Sequence, residues 1–291
     1  MIRRAVVVGG AGAVGRLFTD RLLASGVQVT VVDTAEPDGS TGRAARLRGD
    51  VTAVDFRLAA ELGHADLVVL AVPEPVALKA IRGLAAELRP DALLVDTLSV
   101  KGPVARAVRA EAPGVQAVGL NPMFAPSLGF EGRPVAAVVV HAGTRTEELL
   151  ALVETWGATV VRLDEQRHDR LAAASQTLVH AAVLSFGLAL TRLDVPAEDL
   201  RAAAPPPANA LLALLARIAS GTPEVYWDVQ HGNPEAAPAR KALADAVRRL
   251  AETVEHGTQA DFTDLLTELR THLGTDLAHH RDTCAALFAR I

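Results

Sequence analysis

The segment Gly9-Gly10-Ala11-Gly12-Ala13-Val14-Gly15 constrains the fold more than any other part of the chain. It follows the β-branched run Ala5–Val8 and opens Gly15–Ser25, whose apolar spacing predicts an amphipathic helix. Gly10, Gly12 and Gly15 form a G-x-G-x-x-G pattern. The first glycine is expected to allow the tight turn. The second lets a pyrophosphate approach the backbone N–H groups of a helix N-terminus, and the third lets helix and strand pack closely. A second strand candidate, Gln28–Val32, runs into Asp33, placed to accept from both hydroxyls of an adenosine ribose. A carboxylate there repels a 2′-phosphate, so the expected cofactor is NAD rather than NADP, with Arg43 and Arg46 as the residues that could argue otherwise.

Further strand candidates are Asp66–Val72, Ala92–Asp96, Gln116–Leu120, Val135–Val140 and Thr159–Leu163. The helical stretches Pro75–Leu88 and Pro103–Glu111 lie between them. This alternation predicts a doubly wound parallel sheet covered by helices on both faces. After Asp164 the β-branched runs stop, and Ala/Leu-rich segments continue, separated by Asp194–Pro196, Pro205–Pro207 and His231–Pro238. The expectation is therefore α/β followed by all-α, with residues 1–164 binding a dinucleotide and residues 165–291 helical. Pro205–Pro207 reads as a helix junction.

The chain has 291 residues, 50% of them hydrophobic and 22% charged, enough for two packed domains and too apolar for disorder. A formal net charge of −5 argues against binding a row of phosphates, so no nucleic-acid partner is expected, while local arginines could still hold a small anionic substrate. Leu171 to Leu190 is long enough to span a membrane. It is interrupted by Ser175, Gln176, His180 and Ser185, however, and reads as a buried helix. The helical half carries more apolar surface than it can bury alone, which predicts a homodimer formed through it. The single cysteine, Cys284, and the start of the chain, which lacks a signal-peptide layout, make the cytoplasm the expected compartment. The histidines show no H-E-x-x-H spacing, so no catalytic metal is expected.

In an open parallel sheet, ligands bind beyond the carboxyl ends of the strands. The residues there are Pro73-Glu74-Pro75, Thr97-Leu98-Ser99-Val100-Lys101 and Asn121-Pro122-Met123-Phe124-Ala125. Standing alone, Ser99 and Lys101 also read as a helix cap and a solvated cation, and Asn121-Pro122 as a turn. Lysine is rare in this arginine-rich chain (Lys79, Lys101 and Lys241), which draws Lys101 toward the cleft. In the helical half, Gln176 and His180 are four residues apart and so expected on one face. Arg217 sits in an apolar stretch, where a buried guanidinium would need a structural carboxylate or an anionic substrate.

Taken in order, these blocks resemble the prephenate dehydrogenase family: the Val6–Gly15 loop, Asp96–Lys101, Gly119–Phe124, His168-Asp169 with Gln176 and His180, and Arg217 with Pro223–Asp228. The resemblance covers essentially the whole chain. It implies a Rossmann-type domain joined to a helical dimerisation domain, and an NAD-dependent oxidative decarboxylation. In that reaction a hydride leaves C4 of a cyclohexadiene, the ring carboxylate departs as carbon dioxide, and the ring becomes aromatic. By resemblance Ser99 and Lys101 line the site, Pro73 borders the cofactor, Gln176 and His180 help place the substrate, and Arg217 pairs with its carboxylate.

The departure is at Asn121, where the family carries the histidine of a His-Pro-Met-Phe-Gly block, and at Ala125, which replaces that glycine. Hydride loss from a carbon bearing a hydroxyl produces a protonated carbonyl, and a base accepting that proton is worth about two to four orders of magnitude in rate. An amide cannot act as that base near neutral pH. An amino group at C4 instead yields an iminium ion that is stable while protonated, and Asn121 could orient it through its carbonyl. The expected substrate is therefore 4-amino-4-deoxyprephenate, giving 4-aminophenylpyruvate for aminophenylalanine-derived natural products. Prephenate or arogenate is the alternative, with His180 or water as base. The β-hydroxyacid dehydrogenases share the two-part layout but need a lysine on a helix of the second domain. Lys241, the one lysine after Asp164, lies in a charged segment. A non-catalytic NAD-sensing dimer would have no use for Arg217 and His180 in a pocket.

Overall fold

The computed structural model describes residues 1–35 and 43–290, which form two compact units, Met1–Arg170 and Leu171–Ile291. The first is built on eight strands: β1 (Arg4–Val8), β2 (Gln28–Asp33), β3 (Ala45–Arg48), β4 (Leu67–Leu70), β5 (Leu93–Asp96), β6 (Gln116–Pro122), β7 (Pro134–His141) and β8 (Thr159–Arg162). Their spatial order is β3-β2-β1-β4-β5-β6-β7-β8. All neighbours are parallel except β6 and β7, which run antiparallel with a register shift at Ala117/Val118. The crossover helices are α1 (Ala13–Ala24), α2 (Phe56–His64), α3 (Glu74–Glu87), α4 (Gly102–Glu111) and α5 (Thr144–Thr155).

Alternation along the strands explains why both faces are covered. Ala5, Val7, Val29, Val31, Leu67 and Val69 point into one core, while Val6, Val8, Val32, Val68, Leu70 and Leu94 point into the other. The first core is closed by Phe18, Phe130 and Trp156, with the Phe18 and Phe130 rings edge to face at 5.5 Å. The doubly wound parallel sheet is as expected, while β3, α2, α5 and the antiparallel pairing of β7 with β6 are not legible in the sequence. Only two of the four residues of β3 are even half-buried, so this edge strand lacks the apolar run that marks a central one.

Beyond the sheet, α6 (Glu165–Ala172) leads through a π-helical turn, Ala173–Thr177, into α7 (Leu178–Leu190). The second unit continues with α8 (Ala197–Ala203), α9 (Pro206–Ala219), α10 (Pro223–His231), α11 (Ala236–His256), α12 (Gln259–Leu273) and α13 (Leu277–Phe288). It is helical throughout, as expected. Pro205 caps α9, and Pro206 and Pro207 occupy its first turn, where a missing N–H costs nothing. The stretch to Leu190 departs from the expected buried helix: in the run Glu165–Leu190 only 28% of the most apolar window is buried. Leu171, Val179 and Leu188 are 44%, 45% and 69% exposed, because the helices of one chain do not cover that face.

Candidate active site

The glycine loop divides its work differently from the sequence reading. The tight turn assigned to Gly10 is made by Gly9, at φ +76°, where an added Cβ would lie 2.2 Å from the Ala71 carbonyl oxygen. Gly10 packs on β2, with Val31 Cγ1 2.5 Å from the place a Cβ would take. Gly15 lets α1 lie on the loop, since a Cβ there would be 2.3 Å from the Gly9 oxygen and 2.7 Å from Gly10 Cα. Gly12 is the N-cap of α1. Asp33 ends β2, and its carboxylate accepts from Ala11 N–H (3.1 Å) and Ala35 N–H (3.2 Å), tying the strand end to the glycine loop. Gly9, Gly12, Asp33 and Pro73 surround one cleft of about 580 Å³, so three of the five expected cofactor residues line it and Gly10 and Gly15 lie beneath as packing. Lys79 reaches the same cleft.

At the ends of β5 and β6 lies a buried polar network. Lys101, expected to face a substrate, is 1% exposed, and its ammonium donates to Asp96 Oδ1 (2.5 Å) and to the Leu120 carbonyl (3.0 Å). Burial pulls the Lys101 ammonium below its ordinary pKa, while Asp96 and then Asp169 pull the other way. The lysine is thus a strut between two strand ends, neither a solvated cation nor a group presented to a ligand. Gly119 provides the room, because a Cβ there would lie 2.8 Å from both Asp96 Oδ2 and Lys101 Cδ. Ser99 is half-buried on the loop after β5 and does not cap α4. That helix is capped from far along the chain. Asp169 accepts from Lys101 N–H (2.8 Å) and Gly102 N–H (2.9 Å), the orphan donors of the first turn.

Asn121, near the end of β6, is 3% exposed. Its Nδ2 lies 3.1 Å from His168 Nε2, and His168 Nδ1 lies 2.8 Å from Asp169 Oδ1. Burial pushes the Asp169 carboxyl up. The hydrogen bonds from His168, Lys101 and Gly102 more than reverse this and hold it below the usual carboxylate range. The sequence reading noted His168-Asp169 as a block and assigned it no role. The signal was an adjacent base–acid pair just before a long apolar helix.

In the second unit, Gln176 lies in the π-helical turn and His180 in α7, so the i,i+4 argument does not carry across unchanged: a π turn re-phases the helix. The turn is stapled by α10, where Gln230 Nε2 donates to the Thr177 carbonyl and Thr177 Oγ1 donates to the Val229 carbonyl, both at 2.9 Å. The His180 and Tyr226 rings meet edge to face at 5.2 Å. His180 Nδ1 is buried without a hydrogen-bond partner, and burial followed by the Arg217 charge lowers its imidazole below the ordinary histidine pKa. Arg217 was expected to be buried. It is exposed in the last turn of α9 and makes no ion pair among the described residues. The apolar stretch around it does not bury it because α9 leaves that flank uncovered. An unpaired guanidinium beside an imidazole with an unsatisfied nitrogen is an arrangement suited to an anion.

Two family models match the chain: prephenate dehydrogenase, nucleotide-binding domain, over residues 18–160, and prephenate dehydrogenase, dimerization domain, over residues 164–268. The 4-amino-4-deoxyprephenate dehydrogenase of Streptomyces pristinaespiralis is 53% identical over 99% of this chain and 97% of its own length. The chain belongs to the prephenate dehydrogenase family. A probable arogenate/prephenate dehydrogenase of Methanocaldococcus jannaschii is 26% identical over 93% of this chain and 61% of its own. Prephenate dehydrogenase from Aquifex aeolicus, solved with hydroxyphenyl propionate and NAD+, shares the fold at a TM-score of 0.75 and 19% identity, covering 94% of this chain and 97% of that one. Within this prephenate dehydrogenase-family chain, strands β2 to β7 with Asp33 and Pro73 fall in the matched part of the nucleotide-binding domain, the glycine loop lies just before it, and His180 and Arg217 fall in the matched dimerization domain.

Proposed function

We propose that this chain catalyses the NAD-dependent oxidative decarboxylation of 4-amino-4-deoxyprephenate to 4-aminophenylpyruvate. The single observation that carries the substrate choice is Asn121: the reacting family's histidine is replaced by an amide already engaged with His168. The 53% identical relative of that name supports it independently.

The cofactor fits the residues present. Gly9, Gly12 and Asp33 border a cleft with backbone N–H groups at the start of α1, and the close packing at Gly10 and Gly15 keeps the loop open to a pyrophosphate. NAD supplies the hydride acceptor when bound. The protein's residues bind and orient. Arg217 is free to pair with a substrate carboxylate, and His180, kept neutral, can accept or donate one hydrogen bond. Asn121 Oδ1 accepts from the ring amine. As hydride leaves C4, the nitrogen lone pair stabilises the carbon, and the bond to the ring carboxylate then breaks to release carbon dioxide, its electrons completing the aromatic ring. The reacting form is the free amine, and once it is bound no further proton has to leave nitrogen during hydride loss and decarboxylation, so an amide suffices where imidazole is otherwise needed. We further propose that the dimerization domain joins two copies of this chain and that the enzyme works in the cytoplasm. Ser99 remains a proposed site residue through its half-buried hydroxyl, and Gln176 through its place before His180.

The test is a turnover assay of the purified protein with NAD on prephenate, arogenate and the 4-amino analogue, following NADH. The expected result is the highest kcat/KM on the amino compound. Faster turnover of prephenate would overturn the substrate choice.

A further inference from the structure

We propose that His168 is a positioning residue that sets which face the Asn121 amide presents, and through it the preference for an amine over a hydroxyl at the reacting carbon. The inference rests on the substrate reading above and deepens it.

The argument is one of donors and acceptors. Asp169 accepts two backbone N–H bonds from the start of α4 and stands 2.8 Å from His168 Nδ1. A carboxylate has only lone pairs to offer, so His168 Nδ1 carries the proton. In neutral imidazole the other nitrogen is then an acceptor, and it lies 3.1 Å from Asn121 Nδ2. Asn121 must therefore donate N–H to His168. Turned over, the amide would set its carbonyl against the imidazole lone pair at a site where His168 is 1% and Asn121 3% exposed, a mismatch of two acceptors that burial makes costly. The backbone offers little slack. The Lys101 strut holds the carbonyl of Leu120, next to Asn121, and Asn121 is paired with Ala136 on β7.

The consequence is that Oδ1, uncommitted among the described residues, is the atom left for a ligand. It is an acceptor that cannot be protonated near neutral pH. An amine carries N–H donors before hydride loss and, as the iminium ion, still carries them after it, so this oxygen is matched in both states. A hydroxyl that becomes a protonated carbonyl needs its proton removed, which this oxygen cannot do. If the amide were free to turn, its NH₂ would face the iminium for part of the time and accommodate a hydroxyl lone pair instead. His168 thus acts two bonds away from the substrate, as a lock on the amide.

Two measurements test this. In wild-type protein, ¹⁵N NMR of the imidazoles, with His168 assigned by the perturbation caused by Asn121→Ala, should show a neutral ring with the proton on Nδ1 and a bare Nε2. A proton on Nε2, in either the other tautomer or imidazolium, would overturn the proposal. His168→Leu should lower the ratio of kcat/KM for the 4-amino compound over that for prephenate by about tenfold, the worth of one hydrogen bond lost or reversed. The same change in an Asn121→Ala background should leave the ratio where Asn121→Ala alone puts it. An equal loss on both substrates, or an undiminished effect without Asn121, would mean that His168 merely supports the fold. Failure of the substrate reading is seen separately, as a wild-type preference for prephenate, and the position of the imidazole proton decides the amide lock whichever substrate is preferred.

Discussion

His180 and Arg217 show how a single side chain's environment departs from its local sequence. Burial lowers the imidazole, and the cationic guanidinium lowers it further. Arg217→Ala should therefore raise the His180 pKa toward the ordinary histidine value of about 6.5, read by NMR titration; an unchanged value would mean that the two groups do not face each other. The sign for stability follows. A histidine whose folded pKa is depressed binds its proton less readily than in the unfolded chain, so its contribution is present above the unfolded pKa and declines as pH falls through that value toward the folded one. Residues of this kind stand out in the sequence, but their surroundings do not. Arg217 was assigned to an anion on the assumption of burial, and it is exposed. Lys101 was assigned to the cleft because lysine is rare in the chain, and it is a buried strut. A one-dimensional neighbourhood does not reveal which flank of a helix is covered or which strand end lies beside a loop.

At the scale of elements, the glycine loop gives a clean contrast. Gly15→Ala sets a methyl against backbone at 2.3 Å and 2.7 Å, which cannot yield without moving α1 off the loop. It should cost about 1–3 kcal/mol of stability as overpacking and appear as a lowered Tm without any ligand. Gly12→Ala meets only the Gly9 oxygen, at 3.3 Å, from a backbone conformation alanine accepts. Its Tm should stay near wild type while NADH affinity falls, by titration, because the methyl intrudes where α1 faces the cleft. A reversed pattern would reassign the two glycines. The period-2 and 3.6 patterns located most strands and helices because burial on both faces writes itself into apolar spacing. Edge strand β3 and helices α2 and α5 escaped, as did the π-helical turn at Ala173–Thr177, which no periodicity announces and which is held by Gln230 from α10.

For the whole molecule, the distribution of exposed apolar side chains is uneven. Among the described residues, four large hydrophobic side chains are exposed in the first unit and seventeen in the second. On α11, Val247, Leu250 and Val254 are 60%, 45% and 64% exposed and recur at i, i+3 and i+7, one continuous stripe. A face of that kind is covered by something, and a second copy is the proposed occupant. Sedimentation should find the wild-type protein dimeric, and Val247→Asp with Val254→Asp should weaken self-association by at least about a hundredfold, since a desolvated carboxylate has no partner in an apolar interface. A monomeric wild type would overturn this reading.

What could be read from the chain alone was whatever is local. This covers the strand–glycine–helix junction with Asp33, the change of texture after Asp164, and the presence of asparagine where the family carries histidine. These depend on contacts a few residues apart or on the chemistry of one side chain. Only the folded structure brought Asp96, Lys101, Asn121, His168 and Asp169 into one buried network, joining residues as many as 68 positions apart. A buried polar group must find its partners wherever the sheet brings them, and that choice is made by tertiary packing, which is why the lock on Asn121 could not be seen in the sequence.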